Sequence, residues 1–253
     1  QYWGKGDRTM VKNIFCTILK WAFGISLVFF AFAMFIPETL MRIYTPEPKL
    51  IEIGTSYLRA VAFSYLFSGI TNCYYLMMKL EGKAVKSVYI SVVTLITDMV
   101  IDLFLIYGLC GVPRLGANGS AYSTVVVELV ALVWCITESH KKGSLRPDLQ
   151  GFKWFSKAIT KDMFKVSLPM LGSSLAWGLG FSLHSLIMGH LGSDATAAAS
   201  ITSVAQELIT CVCKGISAGA GIMVGKLLGR NMFDKAREYG KRFCYISFWT
   251  GGI

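Results

Sequence analysis

Long runs of apolar residues, separated by short polar stretches, make up most of this chain. Six runs are candidates for membrane-spanning helices, at residues 14–37, 57–78, 88–110, 117–137, 166–190 and 196–225. A helix needs about 20 largely apolar residues to cross the hydrocarbon core of a bilayer. The two-residue alternation typical of a membrane β-barrel strand does not appear. The pattern therefore predicts an all-α integral membrane protein, a polytopic helix bundle.

The composition agrees with a bilayer as the solvent. Of the 253 residues, 54% are hydrophobic and 16% are charged, whereas about a quarter of the residues in soluble domains are charged. The net charge of +10 by itself would also suit a nucleic-acid-binding protein, so the placement of the basic residues decides. Of the 25 Lys and Arg residues, 19 fall in four segments between apolar runs, at 1–12, 79–86, 141–165 and 226–242.

This placement predicts the topology of the chain. Cytoplasmic loops of membrane proteins attract Lys and Arg, so we expect all four basic segments to lie on the cytoplasmic side. The intervening segments TPEPKLIEIG, CGVPRLG and GSDA hold few basic residues. The net charge then reflects topology, and the expected partner is the lipid bilayer and not a nucleic acid. The seven cysteines lie mostly inside apolar stretches, without metal-ligand spacing, so neither a metal site nor a disulfide framework is expected.

Two short segments of the chain match at an offset of 225 positions. Gly4 falls on Gly229, Lys5 on Arg230, Val11 on Ala236 and Lys12 on Arg237. Each segment is basic and directly precedes a new apolar stretch, and six apolar runs separate the two. This indicates a parallel repeat of six-helix units, related by an axis along the membrane normal.

The two ends of the chain suggest a longer protein. The chain begins without Met, and its last residues, FCYISFWTGGI, read like the start of a further span that is too short to cross a bilayer. We therefore expect a fragment that is truncated at both ends.

Several blocks of the sequence resemble the multidrug and toxic compound extrusion (MATE) transporters. They are QYWGKGD, DLFLIYGLCGVPRLGANGSAYST, FKVSLPMLGSSLAWGLGFSLHSLIMGHLGSDATAAASI and VCKGISAGAGIMVGKLLGRNMFDKAREYG. The resemblance implies part of a two-lobed 6+6 helix transporter, with this chain holding helices three to eight and the start of nine. Residues 1–140 would be the later four helices of the N-terminal lobe and 141–165 the cytoplasmic inter-lobe linker. Residues 166–253 would be the first two helices of the C-terminal lobe and the start of a third.

Ionisable side chains at membrane depth are costly, which makes each one a functional candidate. Asp98 and Asp102 lie four residues apart near the middle of the third run, and therefore share one helix face. Two carboxylates this close in a low dielectric resist being ionised together, so one keeps a proton or a cation sits with them. The alternative is a packing role, with both acids bonded to neighbouring hydroxyls such as Thr94 or Thr97.

The resemblance adds to the first of these interpretations. The corresponding MATE helix carries Asn or Asp followed four residues later by Asp, and these line a cation site in the first lobe. Asp98 and Asp102 match this spacing, and Ser120 matches a nearby hydroxyl on the next helix. The family's first helix, which supplies a further acidic partner, is not in this chain. One branch of the family uses a Glu on the seventh helix, whose counterpart here, PMLGSSLAWGLG, has no carboxylate, so a first-lobe site is favoured.

Other polar and small residues within the apolar runs are weaker candidates. Glu128 is a cavity candidate, and so are Glu207 and Lys214, which lie seven residues apart near one helix face. The latter two form either an ion pair lining a cavity or a structural pair, and snorkelling is equally compatible. Pro169 is a candidate hinge. Gly215, Gly219, Gly221 and Gly225 are spaced for close helix packing.

Three hypotheses about function follow. The first is a cation-coupled antiporter, using H⁺ or Na⁺ and no other cofactor, that exports small amphipathic or cationic compounds by alternating access. It would act as a monomer in the inner (plasma) membrane of a bacterium. The second is a lipid-linked oligosaccharide flippase with the same helix plan, which would need a basic central cavity. The third, a membrane-embedded enzyme, would need a His, Ser or Asp constellation at one membrane face, and the sequence contains none.

Overall fold

The computed structural model describes residues 1–108, 114–141, 144–148, 151–152 and 156–251. Regular structure in these ranges is helical, which confirms the all-α prediction. The helices are α1 (Tyr2–Lys5), α2 (Arg8–Phe35), α3 (Pro37–Tyr44), α4 (Pro48–Leu80), α5 (Ala84–Tyr107), α6 (Ala117–Ser139), α7 (Lys157–Leu191), α8 (Ser193–Gly229) and α9 (Phe233–Gly251).

Within the described residues, five helices are long and apolar enough to cross a membrane. They are α2, α5, α6, and the stretches Ile159–Leu191 of α7 and Asp194–Gly229 of α8. The one predicted run that is not among these five, 57–78, lies in α4. This helix has 33 residues and is therefore about 50 Å long. Its length suffices for a span, but Ser, Thr, Tyr and Asn side chains lower its hydropathy. Apolarity therefore confirms five of the six predicted spans.

Helix α4 is the centre of a compact unit formed by Lys12–Ala176. It packs against α3, α5 and α6, and Tyr74 meets Phe15 of α2 edge to face, with ring centroids 5.4 Å apart. Small residues lie at these contacts: Ala62 and Ala121 are fully buried. Small side chains let helix backbones approach closely inside a membrane. The polar residues of α4 are tolerated because much of this helix faces protein and not lipid.

One end of this unit gathers two of the four basic segments, 79–86 and 141–165. Glu138 at the end of α6 is buried and pairs with Lys86 and with Lys141, whose Nζ lies 2.5 Å from its carboxylate. A buried carboxylate is tolerated when it is paired and hydrogen-bonded. At the end of α4, Lys83 donates to Glu81 over 2.8 Å. The meeting of these segments at one end agrees with their predicted placement on one side of the membrane.

The predicted inter-lobe linker, 141–165, is attached to this end of the bundle in its described residues. The Leu145 amide donates to Glu81 over 2.7 Å, and Lys12 of α2 pairs with Asp148 at 2.9 Å. From Lys157 onward the segment is helical, as the first turns of α7. Lys142, Gly143 and Lys153 lie outside the described residues. The assignment of lobes at 1–140 and 166–253 concerns a longer protein and stays a prediction.

The second compact unit, Gln1–Val11 with Trp177–Ile253, contains both copies of the predicted repeat except Lys12. Helix α1 packs against α8. Gly6 (φ 81°) and Asn231 (φ 58°), which are equivalent at the 225-residue offset, both have left-handed backbone conformations. Four backbone hydrogen bonds also recur at this offset: Lys5 to Gln1, Gly6 to Trp3, Asp7 to Tyr2 and Val11 to Asp7 match Arg230 to Lys226, Asn231 to Leu228, Met232 to Leu227 and Ala236 to Met232. The two segments are therefore one structural turn used twice.

The glycines of α8 do not make the close contacts predicted for them. A Cβ added at Gly215, Gly219, Gly221 or Gly225 would meet no described atom within 4 Å. Helices approach closely elsewhere: a Cβ at Gly119 of α6 would lie 3.0 Å from the backbone carbonyl of Leu105 on α5. Spacing alone identifies glycines that permit close packing, but it does not identify which of them have a neighbour.

The attachment of the linker predicts a new disulfide. A Cβ built at Gly151 lies 3.5 Å from the Cβ of Cys16, which falls in the usual disulfide range of about 3.5–4.5 Å. We expect Gly151→Cys in the purified protein to become linked to Cys16 under mild oxidation, as detected by mass spectrometry of proteolytic peptides. Gly151→Ser is the matched control, and the absence of a linked peptide in oxidised Gly151→Cys would contradict the attachment.

Candidate functional site

Two carboxylates of α5 and one hydroxyl of α6 form the candidate site. Asp98 and Asp102 lie one turn apart and are both half-buried. The two side chains converge on Ser123 of α6, whose side chain is fully buried. The Ser123 hydroxyl lies 3.1 Å from Asp98 Oδ1 and also hydrogen-bonds Asp102 Oδ1. The pairing of α5 with α6 therefore turns a sequence spacing into a three-residue cluster.

The Ser123 hydroxyl has one proton to donate, but more than one acceptor oxygen lies within hydrogen-bonding distance of it. Its hydroxyl oxygen also lies 3.0 Å from the backbone carbonyl of Ser120, so three acceptor oxygens surround one donor. A hydroxyl donates one hydrogen bond at a time. With both carboxylates ionised, two negative charges would share one proton donor in a partly buried place. One added proton, or one small cation among these oxygens, would remove the deficit.

The hydroxyl that bonds the two carboxylates belongs to Ser123, whereas the sequence predicted Ser120. Ser120 contributes its backbone carbonyl, which accepts from Ser123 and, at 3.0 Å, from Thr124. The hydroxyl that reaches both carboxylates is that of Ser123, three residues further along the same helix face. The packing alternative named the wrong partners, because Thr94 donates to its own helix at the Ile90 carbonyl and Thr97 at the Val93 carbonyl.

Glu128 adds a third carboxylate to the surroundings of the pair. It is half-buried and lies five residues beyond Ser123 on α6. Within the described ranges, none of these three acids forms an ion pair with a Lys, Arg or His side chain. The site is therefore locally acidic, in contrast to the lysine-rich end of the same helices at Glu138.

The remaining sequence candidates lie apart from this cluster. Glu207 and Lys214 of α8 form an ion pair at 2.8 Å, so the pairing itself is confirmed, and both side chains are exposed. Whether they line a transport cavity stays a prediction. Pro169 lies inside α7, where its ring leaves the carbonyl four residues earlier without its usual helical donor. Its role as a hinge also stays a prediction.

Comparison with known proteins identifies relatives over most of the chain. The family model described as MatE matches residues 1–104 and 169–253. An uncharacterized transporter of Bacillus subtilis, YisQ, is 23% identical over 253 residues, which cover 100% of this chain and 55% of YisQ. The probable multidrug resistance protein NorM of Mannheimia succiniciproducens is 26% identical over 238 residues, covering 91% of this chain and 50% of that protein.

The fold also matches a solved structure. A MOP superfamily transporter from Pyrococcus furiosus superposes with a TM-score of 0.80 at 19% identity, covering 97% of this chain and 55% of that one. At this identity the likeness concerns the fold. The chain spans about half the length of the curated relatives it matches.

The two serines of α6 make the site geometry testable without a transport assay. Ser123→Ala removes the donor shared by two partly buried carboxylates, so we expect the free energy of unfolding to fall by about 1–3 kcal/mol. Ser120→Ala keeps the backbone carbonyl that Ser123 uses, and should change it by less than about 0.5 kcal/mol. Thermal unfolding of the detergent-solubilised protein at neutral pH measures both variants. Equal effects of the two substitutions would show that the contact is misassigned.

Proposed function

Because the chain belongs to the MatE family, we propose that its protein is a cation-coupled antiporter that exports small amphipathic or cationic compounds by alternating access. Two relatives among the comparisons support this proposal, since one is named a transporter and the other a probable multidrug resistance protein. The protein would be a multi-pass component of a bacterial plasma membrane and would act as a monomer.

The observation that carries the proposal is the donor deficit at Ser123. Asp98, Asp102 and the Ser120 carbonyl present three acceptor oxygens to one hydroxyl. A site of this kind gains free energy on binding one proton or one Na⁺, because the repulsion between the carboxylates is relieved. It loses the cation again when the surroundings of the carboxylates become more hydrated. Such reversible occupancy is what a coupled carrier requires at its ion site.

Coupling requires that cation occupancy and substrate occupancy favour different conformations. A bound cation shifts a conformational equilibrium only by the difference between its affinities for the two states. In this proposal Asp98 and Asp102 provide that difference in cation affinity. A bound cation neutralises their charge, and this changes which packing of the surrounding helices is favoured. Ser123 holds the two carboxylates toward a common point, so it acts as a positioning residue for the site.

The flippase alternative receives no support from the described residues. A carrier of an anionic lipid-linked headgroup would need cations along its central cavity. The polar cluster of α5 and α6 is acidic instead, and the lysines paired with Glu138 lie at the helix ends. An enzyme is also disfavoured, because the named relatives are transport or resistance proteins.

Transport by the full-length protein tests this proposal. In proteoliposomes with an imposed proton or sodium gradient, we expect Asp98→Asn and Asp102→Asn each to lower cation-driven dye export at least about tenfold, since each amide loses the charge that the cation neutralises. Glu238→Gln is the matched control, because that carboxylate of α9 is exposed, is paired with Arg242 and belongs to none of the candidate sites. It should transport at the wild-type rate.

The gradients also separate the two coupling ions. Export driven by a pH gradient without Na⁺ identifies the proton, and export that needs a Na⁺ gradient at equal pH identifies sodium. If both Asn variants keep full gradient-driven export, the pair is not the coupling site. If the wild-type protein exports nothing under either gradient, the proposed antiport is wrong.

A further inference from the structure

The two copies of the repeated turn touch each other at their glycines. A Cβ added to Gly4 would lie 2.3 Å from the carbonyl oxygen of Lys226 and 3.0 Å from the Cα of Gly229. A Cβ added to Gly229 would lie 2.0 Å from the carbonyl oxygen of Gln1. Such distances are too short for any side-chain carbon, so the two backbones meet where each turn has no side chain.

These contacts are reciprocal under the repeat. Lys226 is the equivalent of Gln1 at the 225-residue offset, and Gly229 is the equivalent of Gly4. Position four of the first turn therefore contacts position one of the second, and position four of the second contacts position one of the first. Reciprocity of this kind is the property of an isologous contact across a twofold axis. The axis of the predicted parallel repeat then passes between Gly4 and Gly229.

We propose that the Gly4–Gly229 contact is a gate on the cytoplasmic side, closed in this structure, where the two six-helix repeats meet on their twofold axis and from which they separate when the transporter opens inward. This inference rests on the proposed function, since a gate has meaning only in an alternating-access carrier. The partner that each turn fits is the equivalent turn of the other repeat.

The chemistry of the contact suits a closure that is reversible. Each side carries a net positive charge: Lys5, Asp7 and Arg8 follow Gly4, and Lys226, Arg230, Asp234 and Lys235 lie around Gly229. Net charges of the same sign repel, and the contact that the structure shows between the turns is backbone packing. The Arg8 guanidinium is directed onto the Trp3 ring, 3.9 Å from its centroid. No ion pair joins the two turns in the described residues, which leaves no strong electrostatic bond to break on opening.

A methyl group at either glycine tests the contact. We expect Gly4→Ala and Gly229→Ala in the full-length protein to force the turns apart. Cleavage after Lys5 and Arg230 by trypsin added at the cytoplasmic face should become faster, and export should fall. Because the contact is reciprocal, the two substitutions should have effects of similar size. Gly225→Ala, one turn earlier on α8, is the matched control, because a Cβ there meets no described atom within 4 Å.

A cross-link tests the opening step even if an alanine variant does not fold. Lys5→Cys combined with Arg230→Cys, in a background without other cysteines, places two thiols beside the axis at equivalent positions. We expect short thiol-specific cross-linkers to join them and to stop gradient-driven export, and a reducible cross-linker to restore export after reduction. A cross-linked protein that exports at the uncross-linked rate would overturn the gate. Failure of all spacer lengths to join the thiols would overturn the contact.

The outcomes separate this inference from the proposed function. If the reduced double-cysteine protein exports under a gradient and continues to do so when cross-linked, the carrier stands and the gate is wrong. If the uncross-linked and wild-type proteins export nothing under either gradient, the proposed function is wrong, and the gate that rests on it is wrong as well. If Gly229→Ala alone affects export while Gly4→Ala resembles Gly225→Ala, the twofold reciprocity is wrong.

Discussion

Every polar group inside hydrocarbon must find its partner within the protein, and this constraint organises the helices described above. Most hydroxyls meet it locally: Thr71 donates to the Phe67 carbonyl one turn earlier in α4, and Thr94 does the same in α5. Ser123 is different, because its hydroxyl reaches across to two carboxylates on another helix. A hydroxyl used in this way binds α5 to α6 while leaving an incomplete set of hydrogen bonds. Stability and ion chemistry therefore depend on the same contact.

The same constraint explains which features could be predicted from sequence. Apolar runs and the spacing of Asp98 and Asp102 are local properties of the sequence, so both the helices and the acidic pair could be predicted from it. Which serine bonds the carboxylates, Ser120 or Ser123, could not be predicted, because it depends on the register between α5 and α6, which no local pattern encodes. Helix α4 contains one of the six predicted spans, but it is less apolar than the five helices that meet the criterion for a span. Its polar side chains are tolerated because its position among other helices shields much of it from lipid.

Segments that connect the helices are attached to the bundle where a buried carboxylate binds them. Glu81 and Glu138 look like ordinary charged loop residues in the sequence, yet both are nearly buried and bind lysines or linker backbone. Their roles depend on three chain segments meeting at one end of the bundle. The spacing of Gly215, Gly219, Gly221 and Gly225 in α8 suggested close packing, but the close approaches lie elsewhere, for example at Gly119 and Gly4. Local spacing shows which contacts a residue permits, and the fold determines which are made.

A turn that meets its own equivalent across an axis is restricted in how it can diverge. Gly4 and Gly229 each occupy space that the other turn needs, so neither could gain a side chain in one half alone without separating both. Positions directed away from the axis carry no such mutual restriction: Gly6 and Asn231 keep the same left-handed backbone with different residues, and Asp7 corresponds to Met232. The internal similarity that survives between the two halves is therefore short. It includes the two glycines at which the turns meet.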